Sequence, residues 1–94
     1  MAACYILYSH KIEKFYIGAT HEDVDARIEK HNKNTYGNHR FTATANDWEL
    51  FLLIPTYNYQ MAIRIERKIK SMKSAKYIRN LKEHPEMILK LTCT

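Results

Sequence analysis

In the stretch KFYIGATHEDVDARIEKHN, Lys14 to Asn32, an arginine and a histidine stand four residues apart, Arg27 and His31. At helical spacing they emerge one turn apart on the same side, beside the apolar stripe marked by Val24 and Ile28. A guanidinium is a permanently charged planar fork that matches the oxygens of a carboxylate or a phosphate. An imidazole, with an ordinary pKa of about 6.5, accepts a proton near neutrality. Glu66 is the third such residue: it follows Ala62 by four positions and precedes Ile69 by three, so its carboxylate borders the buried face of a helix instead of pointing to water with Arg67 and Lys70. Tyr5 and Tyr16, with ten residues between them, add two phenols. Together these side chains can bind an anion, move a proton and hold a hard cation. Each also has a plainer reading: Arg27 paired with Asp23, His31 capping its helix, Glu66 paired with Lys70 at i+4 for about 0.3 kcal/mol, and tyrosines as ordinary sheet packing.

The elements that position them follow from periodicity. ACYILYSH and KFYIGAT are rich in β-branched and aromatic residues, and the polar KIEK between them suits a hairpin, which brings Tyr5 and Tyr16 near each other across the ladder. Thr20 reads as the N-cap of a helix over HEDVDARIEKHN, with acids in its first turn and Lys30 and His31 in its last. NKNTYGNHRFTATAND has no period and reads as a long surface loop, a length that is usually functional. WELFLLIPT is almost continuously apolar, which predicts a strand covered on both faces and closed by Pro55. From Tyr59 to Met72, Ala62, Ile65, Ile69 and Met72 mark one helix face, and Ser74 caps a further helix that stops near Pro85. The expected class is therefore α+β: a small three-stranded antiparallel sheet flanked by helices in the order β-β-α-β-α-α.

Bulk properties bound the rest. Ninety-four residues make one domain, 1–94, with its core at about 3–82, and not two. Lys and Arg outnumber Asp and Glu by 15 to 10, and this excess favours a polyanionic partner. No apolar run approaches the roughly 18 residues of a membrane span, and the first residues lack the basic start of a secretory signal, so a soluble, cytoplasmic chain with no membrane partner is expected. Cys4 and Cys93 have no paired spacing and read as incidental thiols.

Taken in order, Ala3-Cys4-Tyr5, then Tyr16-Ile17-Gly18, Arg27, His31-Asn32 and Glu66 resemble the GIY-YIG nuclease domain, over nearly the whole chain and in the same element order. Tyr16-Ile17-Gly18 matches the second triplet literally. In the first, Ala3 replaces the leading glycine and Cys4 the isoleucine, and Tyr5 keeps the functional position. The family comprises metal-dependent endonucleases that hydrolyse DNA phosphodiesters, and the chain is most similar to its small stand-alone bacterial members.

The resemblance implies a catalytic set of Tyr5, Tyr16, Arg27, His31 and Glu66. Glu66 would hold one Mg²⁺ (or Mn²⁺) with waters and a phosphate oxygen, a common mode for that ion. Arg27 would take the scissile phosphate, Tyr5 the proton of the attacking water, and Tyr16 would hydrogen-bond water or phosphate from the opposite strand. His31 would activate Tyr5 or add a second phosphate contact. The position after the triplet, a lysine in some relatives, is Ala19 here, which leaves His31 more of the activating role. Gly18 would let the backbone pass close to DNA. Lys33, Tyr36, His39 and Arg40 of the long loop offer cations interleaved with an aromatic, as single-strand binders do. Lys68, Lys70, Lys73, Lys76, Arg79 and Lys82 read as a solvated face. The expected function is a divalent-metal-dependent DNA endonuclease in repair, recombination or processing, on single-stranded, branched or duplex DNA. The other reading is a non-catalytic nucleic-acid-binding module of the same fold.

Overall fold

A computed structural model of the chain describes residues 2–21, 24–32 and 46–92, and of Val24, Lys30 and His31 only the backbone. Strands β1 (Ala3–Ser9) and β2 (Lys14–Thr20) form an antiparallel hairpin in which Ala3 faces Thr20 and Ser9 faces Lys14. β3 (Glu49–Pro55) pairs antiparallel with the other side of β1, so the sheet order is β2-β1-β3. The helices are α1 (Val24–Asn32), α2 (Tyr59–Met72), α3 (Ala75–Glu83) and α4 (Pro85–Thr92). The α+β class and the β-β-α-β-α-α order are those expected, with α4 added beyond them. None of these helices is long and apolar enough to cross a membrane.

Successive strand residues face opposite sides of a sheet, and here the two sides carry different cores. On one side Cys4, Ile6, Ile17 and Ile54 meet Ile65 and Ile69 of α2 and Ile78 and Leu81 of α3. Each of these aliphatic side chains is worth about 1.5–3 kcal/mol when fully buried, so this side supplies most of the stability. On the other side Tyr5, Leu7 and Trp48 form a smaller cluster, closed by Ile12, Tyr16 and Ile28. Tyr5 and Tyr16 thus sit away from the main core.

Three sequence expectations change. Thr20 is the buried last residue of β2, and the first turn it was expected to cap includes residues 22 and 23, which lie outside the described residues. β3 is not covered on both faces. It is an edge strand with Leu50 and Leu53 exposed, because a bulge opposite Ile6 and Leu7 inserts Phe51 and breaks the alternation. Met72 leaves the buried stripe of α2 and is 42% exposed at its end. Pro85 stops α3 but also opens α4, at the first helical position, where a missing N–H costs nothing. The cap expected at Ser74 forms, its Oγ accepting from Tyr77 N at 3.1 Å, and α2 is capped by Asn58, whose Oδ1 accepts from Met61 N at 2.8 Å.

Candidate active site

The register places Tyr5 opposite Gly18 and Leu7 opposite Tyr16, so the two phenols are diagonal neighbours on one face, with ring centroids 6.3 Å apart. Gly18 is where the packing is tightest. A Cβ there would lie 2.6 Å from both Cζ and Oη of Tyr5, so the Tyr5 ring occupies the space a side chain would fill. Gly18 and Tyr5 are both buried. The packing therefore gives this glycine a structural task beside the close passage of DNA expected of it: it makes room for the phenol.

Helix α1 brings the arginine. Its nine residues are too few to hold a helix by themselves, so tertiary contacts set its position. Ile28 packs into the Tyr5 cluster, and the half-buried Arg27 donates from Nη2 to Tyr5 Oη at 3.4 Å. At the helix end the Asn32 amide clasps one residue from both sides, donating to Trp48 O at 2.8 Å and accepting from Trp48 N at 2.6 Å. Trp48, 2% exposed, meets the Tyr16 ring edge-on with centroids 6.3 Å apart. Asn32 thus ties α1 to the start of β3 and, through Trp48, to Tyr16. The sequence carried this residue inside the family pattern, without a role.

Glu66 comes from the other side of the sheet, on α2. It borders the buried Ala62, Ile65 and Ile69, with its side chain 21% exposed, and Oε2 accepts from Lys70 Nζ at 2.7 Å. The i+4 pair is formed, and it does more than decorate the surface. Lys70 Nζ lies 5.9 Å from the centre of the Tyr16 ring, so the pair reaches round the β2 edge to the tyrosine face. Arg27, Tyr5, Tyr16, Lys70 and Glu66 form one contiguous arc. The sequence offers Lys70 as the i+4 partner of Glu66 and as part of a solvated face; its reach to Tyr16 depends on how α2 lies along β2.

Cys4, next to Tyr5 in β1, also feels this pair. Burial pushes its thiol up to about 12 and the Glu66 carboxylate adds to the rise, against the smaller opposing effect of Lys70. It stays a protonated, buried thiol and offers no soft metal ligand. Among the described residues no three His, Cys, Asp or Glu side chains cluster as a metal cage. A single partly open carboxylate fits a hard ion that keeps most of its water and takes a substrate oxygen, as Mg²⁺ does, once Lys70 releases it. It does not fit a closed zinc site.

Of the residues expected to act, the structure brings together Tyr5, Tyr16, Arg27 and Glu66. Tyr5 is fully buried and Tyr16 half-buried, so of the two phenols Tyr16 is the one that reaches solvent. The His31 side chain and Lys33, Tyr36, His39 and Arg40 lie outside the described residues. Compared with known proteins, residues 1–80 match the GIY-YIG catalytic domain. No curated protein and no solved structure matches the chain.

Proposed function

The chain belongs to the GIY-YIG catalytic domain family, a family of nucleases that generally use a divalent metal, and from that premise we propose that it is a DNA endonuclease with Mg²⁺ or Mn²⁺ held at Glu66. The observation that supports this most is the arc itself, because an anion fork, two phenols, an ammonium and a carboxylate from four elements converge round one sheet edge. Hydrolysis requires that a water oxygen bond to phosphorus, that its proton leave, and that the bond to the departing sugar oxygen break. The bound metal supplies neutralisation of the charge that builds on the phosphate oxygens. Arg27 presents its fork to the same phosphate. Tyr5, buried beneath Arg27, acts as its positioning residue rather than as the base that meets water. Tyr16 is the phenol at the solvent side and takes the place first given to Tyr5. His31, one turn beyond Arg27, is the proton acceptor for the phenol or a second phosphate contact. Lys70 holds Glu66 in the absence of substrate, and a phosphate of the bound strand draws it off. The reading extends to processing of single-stranded or branched DNA in repair or recombination, with the loop cations Lys33, His39 and Arg40 and the aromatic Tyr36 as strand contacts.

A second reading, a binding module that does not turn over, is favoured by one observation: Lys70 occupies the carboxylate a metal needs. Incubating the purified protein with single-stranded, duplex, flap and forked oligonucleotides, with Mg²⁺, with Mn²⁺ and with chelator, decides between them. The nuclease reading expects metal-dependent cleavage that Glu66→Gln abolishes while DNA binding in chelator survives. Binding without cleavage in every metal would leave only the module.

A further inference from the structure

On the main-core side of the sheet, next to Lys70, a groove of about 420 Å³ runs between the β1–β2 turn, strand β2 and the junction of α2 with α3. Its rim carries Lys14, Lys70, Lys73 and Arg79 against a single acid, Glu13, and its floor includes the half-buried Phe15. Arg79 stacks its guanidinium over the Phe15 ring at 5.3 Å, which keeps the fork at the surface. Lys14, Lys73 and Arg79 pair with no carboxylate among the described residues. Four cations round an apolar floor are complementary to a chain of phosphates whose sugars and bases have apolar faces.

Two backbone observations sharpen this. Among the described residues, Lys73 and Glu13 are the non-glycine residues with positive φ, 48° and 52°. Lys73 is the C-cap of α2, where glycine is the relaxed choice, so a lysine here accepts strain while placing an ammonium on the rim.

We propose that this groove is the path of a DNA strand flanking the scissile phosphate, which leads the backbone along Lys14, Lys73 and Arg79 to Lys70 and so to Glu66. The proposal rests on the nuclease reading for its substrate and adds where the strand lies. Lys70 joins the two: it lines the groove and holds the catalytic carboxylate.

The test exploits the strained positions, because the variants there relax the backbone. Binding of a labelled single-stranded and a labelled duplex oligonucleotide is measured by fluorescence anisotropy in chelator, from 50 to 300 mM salt, with thermal unfolding of each variant alongside. Losing one phosphate contact lowers the slope of log K against log salt by about 0.7–0.9, which at 0.1 M salt corresponds to about five- to eightfold weaker binding. Lys73→Gly and Lys14→Gln are each expected to show that loss, Lys73→Gly with an unchanged or higher Tm. Glu13→Asn, which suits a left-handed backbone and removes the only acid, is expected to bind about two- to fivefold more tightly. Lys90→Gln, on α4 and outside the groove, is expected to bind as wild type. Wild-type affinity in both lysine variants, or an equal loss in Lys90→Gln, overturns the groove and leaves the nuclease reading standing if the protein still cuts DNA. A wild-type protein that neither binds nor cuts DNA overturns both.

Discussion

Replacing Gly18 by alanine puts one methyl group into the space of the Tyr5 ring. The new Cβ would stand 2.6 Å from Cζ and Oη and 3.0 Å from Cε1, whereas ordinary contact begins at 3.4 Å, so the ring or the strand must move by about 0.8 Å. The ring has no free side to move into: Tyr5 is fully buried, with Tyr16 on one flank and the Arg27 guanidinium at its oxygen. Overpacking of this kind costs about 1–3 kcal/mol. In a domain of this size that is a fall in Tm of roughly 4–20 °C. The functional cost is separable from it. The Arg27 to Tyr5 bond is already 3.4 Å, and a further shift breaks it and releases the fork meant for phosphate. A misplacement near 1 Å is worth on the order of a hundredfold in rate. Thermal unfolding by circular dichroism and single-turnover cleavage with Mn²⁺, well below Tm, measure the two costs. Tyr5→Leu shortens the ring away, so Gly18→Ala is expected to destabilise the Tyr5→Leu background less than the wild type, a coupling that only direct contact produces. A Gly18→Ala protein that melts within about a degree of wild type and cuts within twofold of its rate refutes this task for Gly18.

The remaining predictions concern charge. Lys70→Met removes the ammonium from Glu66, and because the pair is half-exposed its worth of about 0.5–1 kcal/mol becomes a two- to fivefold tighter Mn²⁺ affinity without DNA, read by electron paramagnetic resonance. Unchanged or weaker Mn²⁺ binding would show that Lys70 does not compete with metal. If His31 accepts a proton from the phenol, single-turnover cleavage rises through the ordinary imidazole range of roughly pH 6–7 and His31→Ala loses that rise; a cationic phosphate contact instead gives activity falling with pH, and a profile unmoved by the mutation removes His31 from the chemistry. Asp47 accepts from Ser9 Oγ at 2.5 Å and from Lys11 N at 2.9 Å, and the Ser9 bond, more than the backbone one, holds its carboxyl below the ordinary 3.8. The folded value being the lower one, this stabilisation is complete above pH 3.8 and is lost as pH falls through the folded value. Asp47→Asn should therefore lower the urea midpoint at pH 7 and narrow its deficit below about pH 4; a deficit constant with pH contradicts this origin.

Local pattern carried much of this protein. The alternation of β1 and β2, the stripe of Ala62, Ile65 and Ile69, and the cap at Ser74 are short-range effects of side-chain period and backbone hydrogen bonding, so the elements could be read residue by residue. The ordered set Tyr5, Tyr16-Ile17-Gly18, Arg27 and Glu66 was equally open to reading, since order and spacing along the chain carry the family resemblance. What the chain alone left open were the relations between elements. A continuous apolar run such as that of β3 looks the same whether a strand is central or at an edge, and its bulge at Phe51 depends on which residues of β1 it meets. Pro85 at a helix start and Pro85 at a helix stop have one and the same sequence. The difference in burial between the phenols was decided only by tertiary packing: the register seats Tyr5 on Gly18 under Arg27 and leaves Tyr16 half-buried, where Trp48 and Lys70 meet it. Lys70 entered the site for the same reason. Whether a lysine on a helix faces water or reaches round a sheet edge depends on the angle at which that helix lies across the sheet, and that angle is set by Ile65 and Ile69 packing into one core with Ile6 and Ile17, residues distant in sequence.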